Sequence, residues 1–327
     1  MEFRDIAGYM ECDLSRVKSL MRESLSSDIA LLNSVNESLM TRPGKMVRPV
    51  LSLLCARACS GGVLTEDSYR FAAATELLHN ATLLHDDVAD NASSRRGNPT
   101  VNALLGSRAS VLLGDFWLVR AVERILGASE SSDRVIRLFA RTLGDLSEGE
   151  MLQLQKASSG DTSEADYYRI IYQKTASLFV TAALSAVMSV GASEACADAV
   201  GEYASSLGTA FQIKDDMFDY GGGSSIGKPV GLDLLEQKIT LPLLGALADV
   251  SPQEASRVRE KVVKIHEHPG YQAEIVDFVH AHGGMEYAAA RLDEYVEKAI
   301  SALGGLPAGK DRDCLEGLAR YMADRQK

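Results

Sequence analysis

The sequence contains no Lys/Arg-rich run, and its formal net charge is −11 with a pI near 5.1. That balance speaks against nucleic acid as a partner. Cysteine is sparse. Cys12, Cys55, Cys59, Cys196 and Cys314 are odd in number and form no CxxC pair, so they read as reduced thiols of a cytoplasmic chain. Met1-Glu2-Phe3-Arg4-Asp5 offers neither a basic start nor an apolar run, so a secretory signal is not evident. Linkers, low-complexity tracts and solenoid repeats are missing, and strand-like alternation is scarce. What remains is helical periodicity over 327 residues, 46% of them hydrophobic, which reads as one all-α domain spanning 1–327.

One segment, Thr175 to Ser193, carries no charge and is nearly long enough to span a bilayer. Thr175, Ser177, Thr181, Ser185, Ser189 and Gly191 weaken it as a lipid-facing span, and it reads as a buried central helix. Elsewhere the pattern predicts a helix from about Pro49 that stops near Gly61-Gly62. Thr65 then caps another that runs to about Asn91. Further helices are predicted over Ser107–Leu126, Ser132–Lys156, Glu164–Val190 and Ala195–Tyr220. Ser251-Pro252-Gln253-Glu254 has the form of a capping box with Pro at the first helical position. Gly221–Gly231 is the clearest loop, either a lid over phosphate or a plain connector.

The same acidic signature occurs twice, as Asp86-Asp87-Val88-Ala89-Asp90 and as Asp215-Asp216-Met217-Phe218-Asp219. On a helix Asp86 and Asp90 lie about 40° apart with Asp87 about 60° further round, so three carboxylates share one face. Leu83, Leu84 and Val88 flank the first cluster and Phe211, Ile213 and Phe218 the second, so the repelling charges carry a desolvation cost that a bound cation offsets. Each cluster sits near a predicted helix C-terminus, where the helix dipole disfavours carboxylates further. All-oxygen ligands suit Mg²⁺, which completes its shell with water and phosphate oxygens. Either motif alone fits a solvated helix face. Two copies with identical offsets, one followed by Arg95-Arg96 and the other by Lys228, fit a metal-bridged diphosphate.

These residues resemble the trans-isoprenyl diphosphate synthases, the head-to-tail polyprenyl synthetase family. The markers stand in family order: Gly44-Lys45-Met46-Val47-Arg48-Pro49, Glu76, His79, Asp86–Asp90, Arg95-Arg96-Gly97, Lys174-Thr175, Gln212 with Asp215–Asp219, Lys228 and Lys238. The resemblance implies an isoprenoid-synthase-type helical bundle around a deep central cavity, Mg²⁺ dependence, a homodimer, and allylic and isopentenyl diphosphates as substrates. It gives Asp86, Asp90 and Asp215 as leading metal ligands, with Asp87, Asp216 and Asp219 direct or water-mediated. Arg95, Lys174 and Lys228 would hold the allylic diphosphate. Lys45, Arg48, His79 and Arg96 would hold the homoallylic one, with Lys238 a further basic residue of the substrate region. Thr175 and Gln212 would stabilise the carbocation. Four departures stand out: Pro43 where glycine is common, Met46 where many members have a basic residue, a short glycine loop, and Gln237 before Lys238 where glycine is frequent.

Several of these residues have ordinary readings. His79 on an apolar face fits a satisfied core histidine, Lys238 a surface charge, and Glu76 a partner of His79, Lys45 or Arg48. Glu150 and Gln153 fit either the cavity or a solvated face.

Short-chain members of the family place an aromatic just before the first acidic motif. Here Ala81 and Thr82 leave that place open, with Leu78, Thr75 and Ala74 further down the same helix. The stretch His79–Asp90 and the run Arg95–Arg120 resemble octaprenyl-type synthases, which implies a long all-trans product. The alternative within the family is a geranylgeranyl or farnesyl synthase stopped by Phe116 or Trp117. A terpene cyclase and a non-catalytic subunit are the readings from other classes, with surface contact to a membrane left open.

Overall fold

The computed structural model describes residues 1–41, 44–95, 97–221, 231–268 and 270–325. Three N-terminal helices, α1 (Phe3–Tyr9), α2 (Glu11–Ser24) and α3 (Ala30–Met40), precede α4 (Val47–Ser60) and α5 (Glu66–Ala89). A short antiparallel hairpin follows, β1 (Ser94–Arg95) on β2 (Asn98–Pro99), with Arg95 opposite Asn98. The chain passes through α6 (Val101–Leu105) into α7 (Ser107–Leu126) and α8 (Ser132–Ser159). Next, α9 (Glu164–Ile171), a π turn over Tyr172–Ala176 and α10 (Ser177–Ser189) form one continuous helix, followed by α11 (Glu194–Phe218). The remainder is α12 (Leu232–Leu235), α13 (Leu241–Ala248), α14 (Pro252–Val263), α15 (Tyr271–Ala281), α16 (Gly284–Ala302) and α17 (Lys310–Asp324).

Local chemistry sets these boundaries. Thr65 Oγ1 accepts the Ser68 N–H at 3.1 Å and Ser68 Oγ accepts the Thr65 N–H at 3.1 Å, a reciprocal box that starts α5. Ser163 and Asp166 make the same box for α9. Ser251 Oγ accepts the Glu254 N–H at 3.3 Å, with Pro252 in the first turn of α14. Helix α5 closes in a Schellman motif, where Ala92 N–H bonds Asp87 O and Asn91 N–H bonds Val88 O, with Asn91 left-handed at φ 48°. Asp90 is the cap residue, so the first acidic cluster does end a helix.

Helix α10 occupies the centre, packed on α4, α5, α8 and α11, while α5 lies along α7 and α11 along α16. Small residues make the close approach possible: Ala182, Ala183 and Ala186 are fully buried. Phe71, Leu77, Phe179 and Tyr203 fill the space between them, each worth ~1.5–3 kcal/mol on burial. The stretch Glu164–Ser189 is long and apolar enough to cross a bilayer at a mean hydropathy of 1.3, yet 78% of that window is buried inside the protein. It is the central helix read from the sequence.

The predicted single helix Glu164–Val190 is continuous to Ser189 and carries a π turn, which falls on Lys174-Thr175. Two glycines explain how the turn is held. A Cβ on Gly208 of α11 would stand 2.6 Å from Ala176 Cα, and one on Gly149 of α8 would stand 2.8 Å from Gln173 Cβ and 2.9 Å from Lys174 Cγ. Neither site has room for a methyl group, so α8 and α11 press directly on the widened turn from two sides.

Candidate active site

The π turn joins the two acidic clusters. On one side Lys174 forms an ion pair with Glu150 Oε2, and Gln153 Nε2 donates to Glu150 Oε1 at 3.3 Å, which places both of these α8 residues in the site. Asp86 stands close enough to feel Lys174, Asp90, Glu150 and Arg95, and burial first, then the neighbouring carboxylates, push its carboxyl up to about 6. Asp90, at the exposed end of α5, is raised by partial burial and next by Glu236. Asp87 is buried and accepts from Arg95 Nε at 2.8 Å, so the hairpin residue returns onto the helix that carries its own motif.

On the other side Thr175 Oγ1 donates to Gln212 Oε1 at 2.7 Å, and Gln212 Nε2 donates to Asp216 Oδ1 at 2.8 Å. The second oxygen of Asp216 accepts from Tyr167 OH at 2.7 Å. Asp216 is buried, and burial together with nearby Asp233 raises it against the pull of these two hydrogen bonds. Asp219 accepts the backbone N–H groups of Leu232 at 2.8 Å and Asp233 at 3.0 Å; burial and Asp233 still push it up to about 6. Asp215 points elsewhere, into an ion pair with Arg325 at 2.7 Å.

Lys238 lies beside Asp233 at 3.8 Å and pairs with Glu236. Burial alone would lower its ammonium, but Asp233 and Glu236 raise it. The chain reaches it through a second Schellman closure, Lys238 N–H on Asp233 O and Gln237 N–H on Leu234 O. Gln237 is left-handed at φ 58°, the conformation glycine adopts without strain, and its Nε2 is tied to Val263 O. The Gln237 departure therefore keeps the backbone that a glycine would give. Met46 is also left-handed, at φ 53°, and buried.

A cavity at this site is lined by Gln153, Tyr167, Lys174, Thr175, Gln212, Asp216, Asp233 and Lys238 among others. Ala74, Thr75, Leu78 and Ala81 are buried in the core and, with half-buried Thr82, do not line that cavity. Thr75 and Thr82 turn their hydroxyls back onto Phe71 O and His79 O. Trp117 is buried with Nε1 on Asn36 Oδ1 at 2.9 Å, and Phe116 lies under the Arg120 guanidinium at 4.7 Å. Of the first basic loop, Lys45 is exposed with Nζ 2.6 Å from Tyr321 OH, and Arg48 stacks 4.8 Å over Phe179. His79 is half-buried, one turn after buried Glu76. Arg96, Lys228, Pro43 and most of the glycine loop lie outside the described residues.

The donor set suits a hard divalent cation, because every candidate ligand is a carboxylate oxygen and Asp86, Asp90, Asp216 and Asp219 are all held where their charged forms are disfavoured. Among the described residues no group of three or more His, Cys, Asp or Glu forms a ready cage. Any ion would need oxygens from a ligand and from water to complete its shell.

Residues 29–279 match the polyprenyl synthetase family model. The chain belongs to the polyprenyl synthetase family. It is 37% identical to the octaprenyl diphosphate synthase of Haemophilus influenzae over 99% of this chain and 98% of that one. A decaprenyl diphosphate synthase from Rhodobacter capsulatus shares the fold at TM-score 0.92 and 35% identity, covering 99% of each chain. A polyprenyl synthase from Caulobacter crescentus, solved with calcium and isoprenyl diphosphate, matches at TM-score 0.90 and 33% identity over 100% of this chain and 98% of that one. The all-α isoprenoid-synthase fold expected from the motifs is the fold found.

Sequence reasoning missed three members of the site. Tyr167 lies seven residues, two turns, before Lys174, a spacing that puts both on one helix face. Asp233 follows the glycine loop in a four-residue helix too short to leave a periodic trace. Arg325 is far from Asp215 in sequence, and no motif marks it.

Proposed function

We propose that the chain joins an allylic diphosphate, with farnesyl diphosphate as the first primer, to isopentenyl diphosphate head to tail, and repeats this to a long all-trans polyprenyl diphosphate of the octaprenyl class, a precursor of quinone side chains. The observation that carries the reading is the Thr175–Gln212–Asp216–Tyr167 hydrogen-bond chain beside Lys174, set between two acidic clusters. It offers oxygen dipoles where a cation would form and a basic residue where diphosphate would depart.

Asp86, Asp90 and Asp215 would hold Mg²⁺, with Asp87, Asp216 and Asp219 binding directly or through water. A metal held there would supply Lewis-acid neutralisation of charge on the departing diphosphate. Lys174, Arg95 and Lys228 hold the allylic diphosphate, while Lys45, Arg48, His79 and Arg96 hold the second substrate and Lys238 adds charge at the rim. Thr175 Oγ1 and Gln212 Oε1 face the carbocation, whose proton leaves with diphosphate once the isopentenyl double bond has attacked. Burial of Asp216 and Tyr167 keeps bulk water from that side.

A single domain of this shape would work as a homodimer. Exposed Val111, Leu112 and Val119 on α7 and Met151 and Leu154 on α8 support such an interface. Free thiols at all five cysteines fit the cytoplasm. The test is incubation of the purified protein with farnesyl diphosphate, isopentenyl diphosphate and Mg²⁺, followed by chain-length analysis with and without EDTA. Elongation that stops in chelator and returns with Mg²⁺ is expected. Cyclised hydrocarbon, no product, or full activity in EDTA would each overturn the reading. Asp86→Ala and Asp215→Ala should lower turnover by several orders of magnitude with helical content retained, because each removes a ligand rather than core packing.

A further inference from the structure

Arg325 has no counterpart among the motifs, yet it is one of the most buried charged residues in the described chain, 8% exposed. Its Nη2 forms an ion pair with Asp215 Oδ1 at 2.7 Å and donates to Phe211 O at 2.7 Å. The guanidinium sits 4.0 Å over the Phe211 ring and 5.4 Å over the Phe218 ring, stacked on the face of α11 that carries the second acidic cluster. Lys214, whose Nζ lies 5.6 Å over the Phe218 ring, is a second cation in the same patch. Phe211 and Phe218 flank the motif in sequence, so the aromatic pair that read as apolar surroundings for the carboxylates is also the seat of this arginine.

We propose that Arg325 is a resident counter-ion of the site: its guanidinium takes the place beside Asp215 that a divalent cation would occupy, and the site loads by exchanging one cation for the other. The inference rests on Asp215 being a metal ligand, as proposed above. Two positive groups cannot share one carboxylate oxygen without repulsion, so the arginine must withdraw as the ion arrives. The local geometry makes withdrawal inexpensive. Arg325 is the residue at which α17 ends, with φ −59° and ψ 141°, so a change in its own torsions moves the guanidinium while α17 stays docked. One turn earlier Tyr321 stays in place, stacked on Phe3 at 5.0 Å and bonded to Lys45. With the metal on Asp215, the released guanidinium would stand next to a bound diphosphate, the anion it suits best.

The experiment is an Mn²⁺ titration followed by electron paramagnetic resonance, with inorganic diphosphate at fixed concentration and a protein-free blank, on the full chain and on Arg325→Gln, Arg325→Met and Arg325→Lys. The two neutral variants should bind Mn²⁺ about three- to tenfold more tightly than the parent, the size expected for removing one unit charge from beside a half-exposed carboxylate. Arg325→Lys should stay near the parent. Arg325→Met keeps an apolar stem between Phe211 and Phe218, and a thermal melt on each protein separates lost folding from altered affinity. Neutral variants that bind no more tightly than the parent overturn the exchange. Asp215→Asn separates the two layers: if it weakens Mn²⁺ binding while the neutral Arg325 variants match the parent, only the exchange falls; if it leaves binding unchanged, the metal assignment falls with it.

Discussion

Arg95 donates from Nε to Oδ1 of Asp87 across 2.8 Å, so a cation proposed to hold substrate is tied to a carboxylate of the first cluster. The pair stores Arg95 at the site without leaving Asp87 buried and uncompensated. It also predicts an asymmetry between neighbours. Arg95→Ala should raise the apparent KM for the allylic substrate more than that for isopentenyl diphosphate, and Arg96→Ala should show the reverse bias. Steady-state kinetics in both substrates check this, and equal effects on the two would refute the division.

The raised carboxyls predict how the metal-free protein responds to pH. Asp86 and Asp219 titrate near about 6 in the fold and lower when unfolded, and Asp90 and Asp216 are raised as well, so the native state holds the extra protons. Stability then falls as pH rises from about 4 through about 6, and Asp216, raised well above the ordinary carboxylate range, carries the fall further. Melting curves in EDTA should show a lower Tm at about pH 7.5 than at about pH 5, and Mg²⁺ with diphosphate should raise Tm more at the higher pH. An equal gain at both would mean that these carboxylates do not meet the ion.

Ala81 tests the chain-length reading. It is 1% exposed, so Ala81→Phe must push into packed surroundings and should cost ~1–3 kcal/mol of stability. If a growing chain descends past this position, the product ladder should shorten to one or two condensations while first-step activity survives. A folded variant that still makes the parental product places the chain's path elsewhere.

Gly208 should tolerate nothing larger. A methyl there would stand 2.6 Å from Ala176 Cα, a backbone atom that cannot swing aside. Gly208→Ala should lower stability by ~1–3 kcal/mol and lower turnover further than that loss explains, because Thr175 is displaced from Gln212. Gly201 on the same helix is the control. Its added Cβ meets only Leu184 at 3.7 Å, so Gly201→Ala should be neutral or stabilising by ~0.5–1 kcal/mol. Matching losses in both variants would mean that α11 resists any methyl, not that the π turn is clamped.

The site was more legible in the sequence than its limits were. Repeated Asp offsets survive into three dimensions because each motif sits on a single helix, and Lys174-Thr175 could be matched by type and order. The helices followed where caps were explicit, as at Thr65 and Ser251, and Ser107–Leu126 agrees at both ends. Ala74, Thr75 and Ala81 were a harder case. A small side chain leaves space only if nothing else fills it, which depends on neighbours distant in sequence, and all three are buried. The hairpin carrying Arg95 was not visible, since two residues a strand are too few for alternation to register.

The π turn also sets what kind of change this segment can absorb. One extra residue in a single turn rotates everything after it by about 100° relative to an unbroken α-helix. Helix α10 packs on α4, α5, α8 and α11, so the widening at Tyr172–Ala176 sets which of its residues meets each neighbour. Losing one residue there would remove Thr175's bond to Gln212 and at the same moment change which residues of α10 meet each of its partners. Substitutions along this helix can be accommodated one by one, but its length cannot drift: the chemistry and the core are counted along the same stretch of backbone.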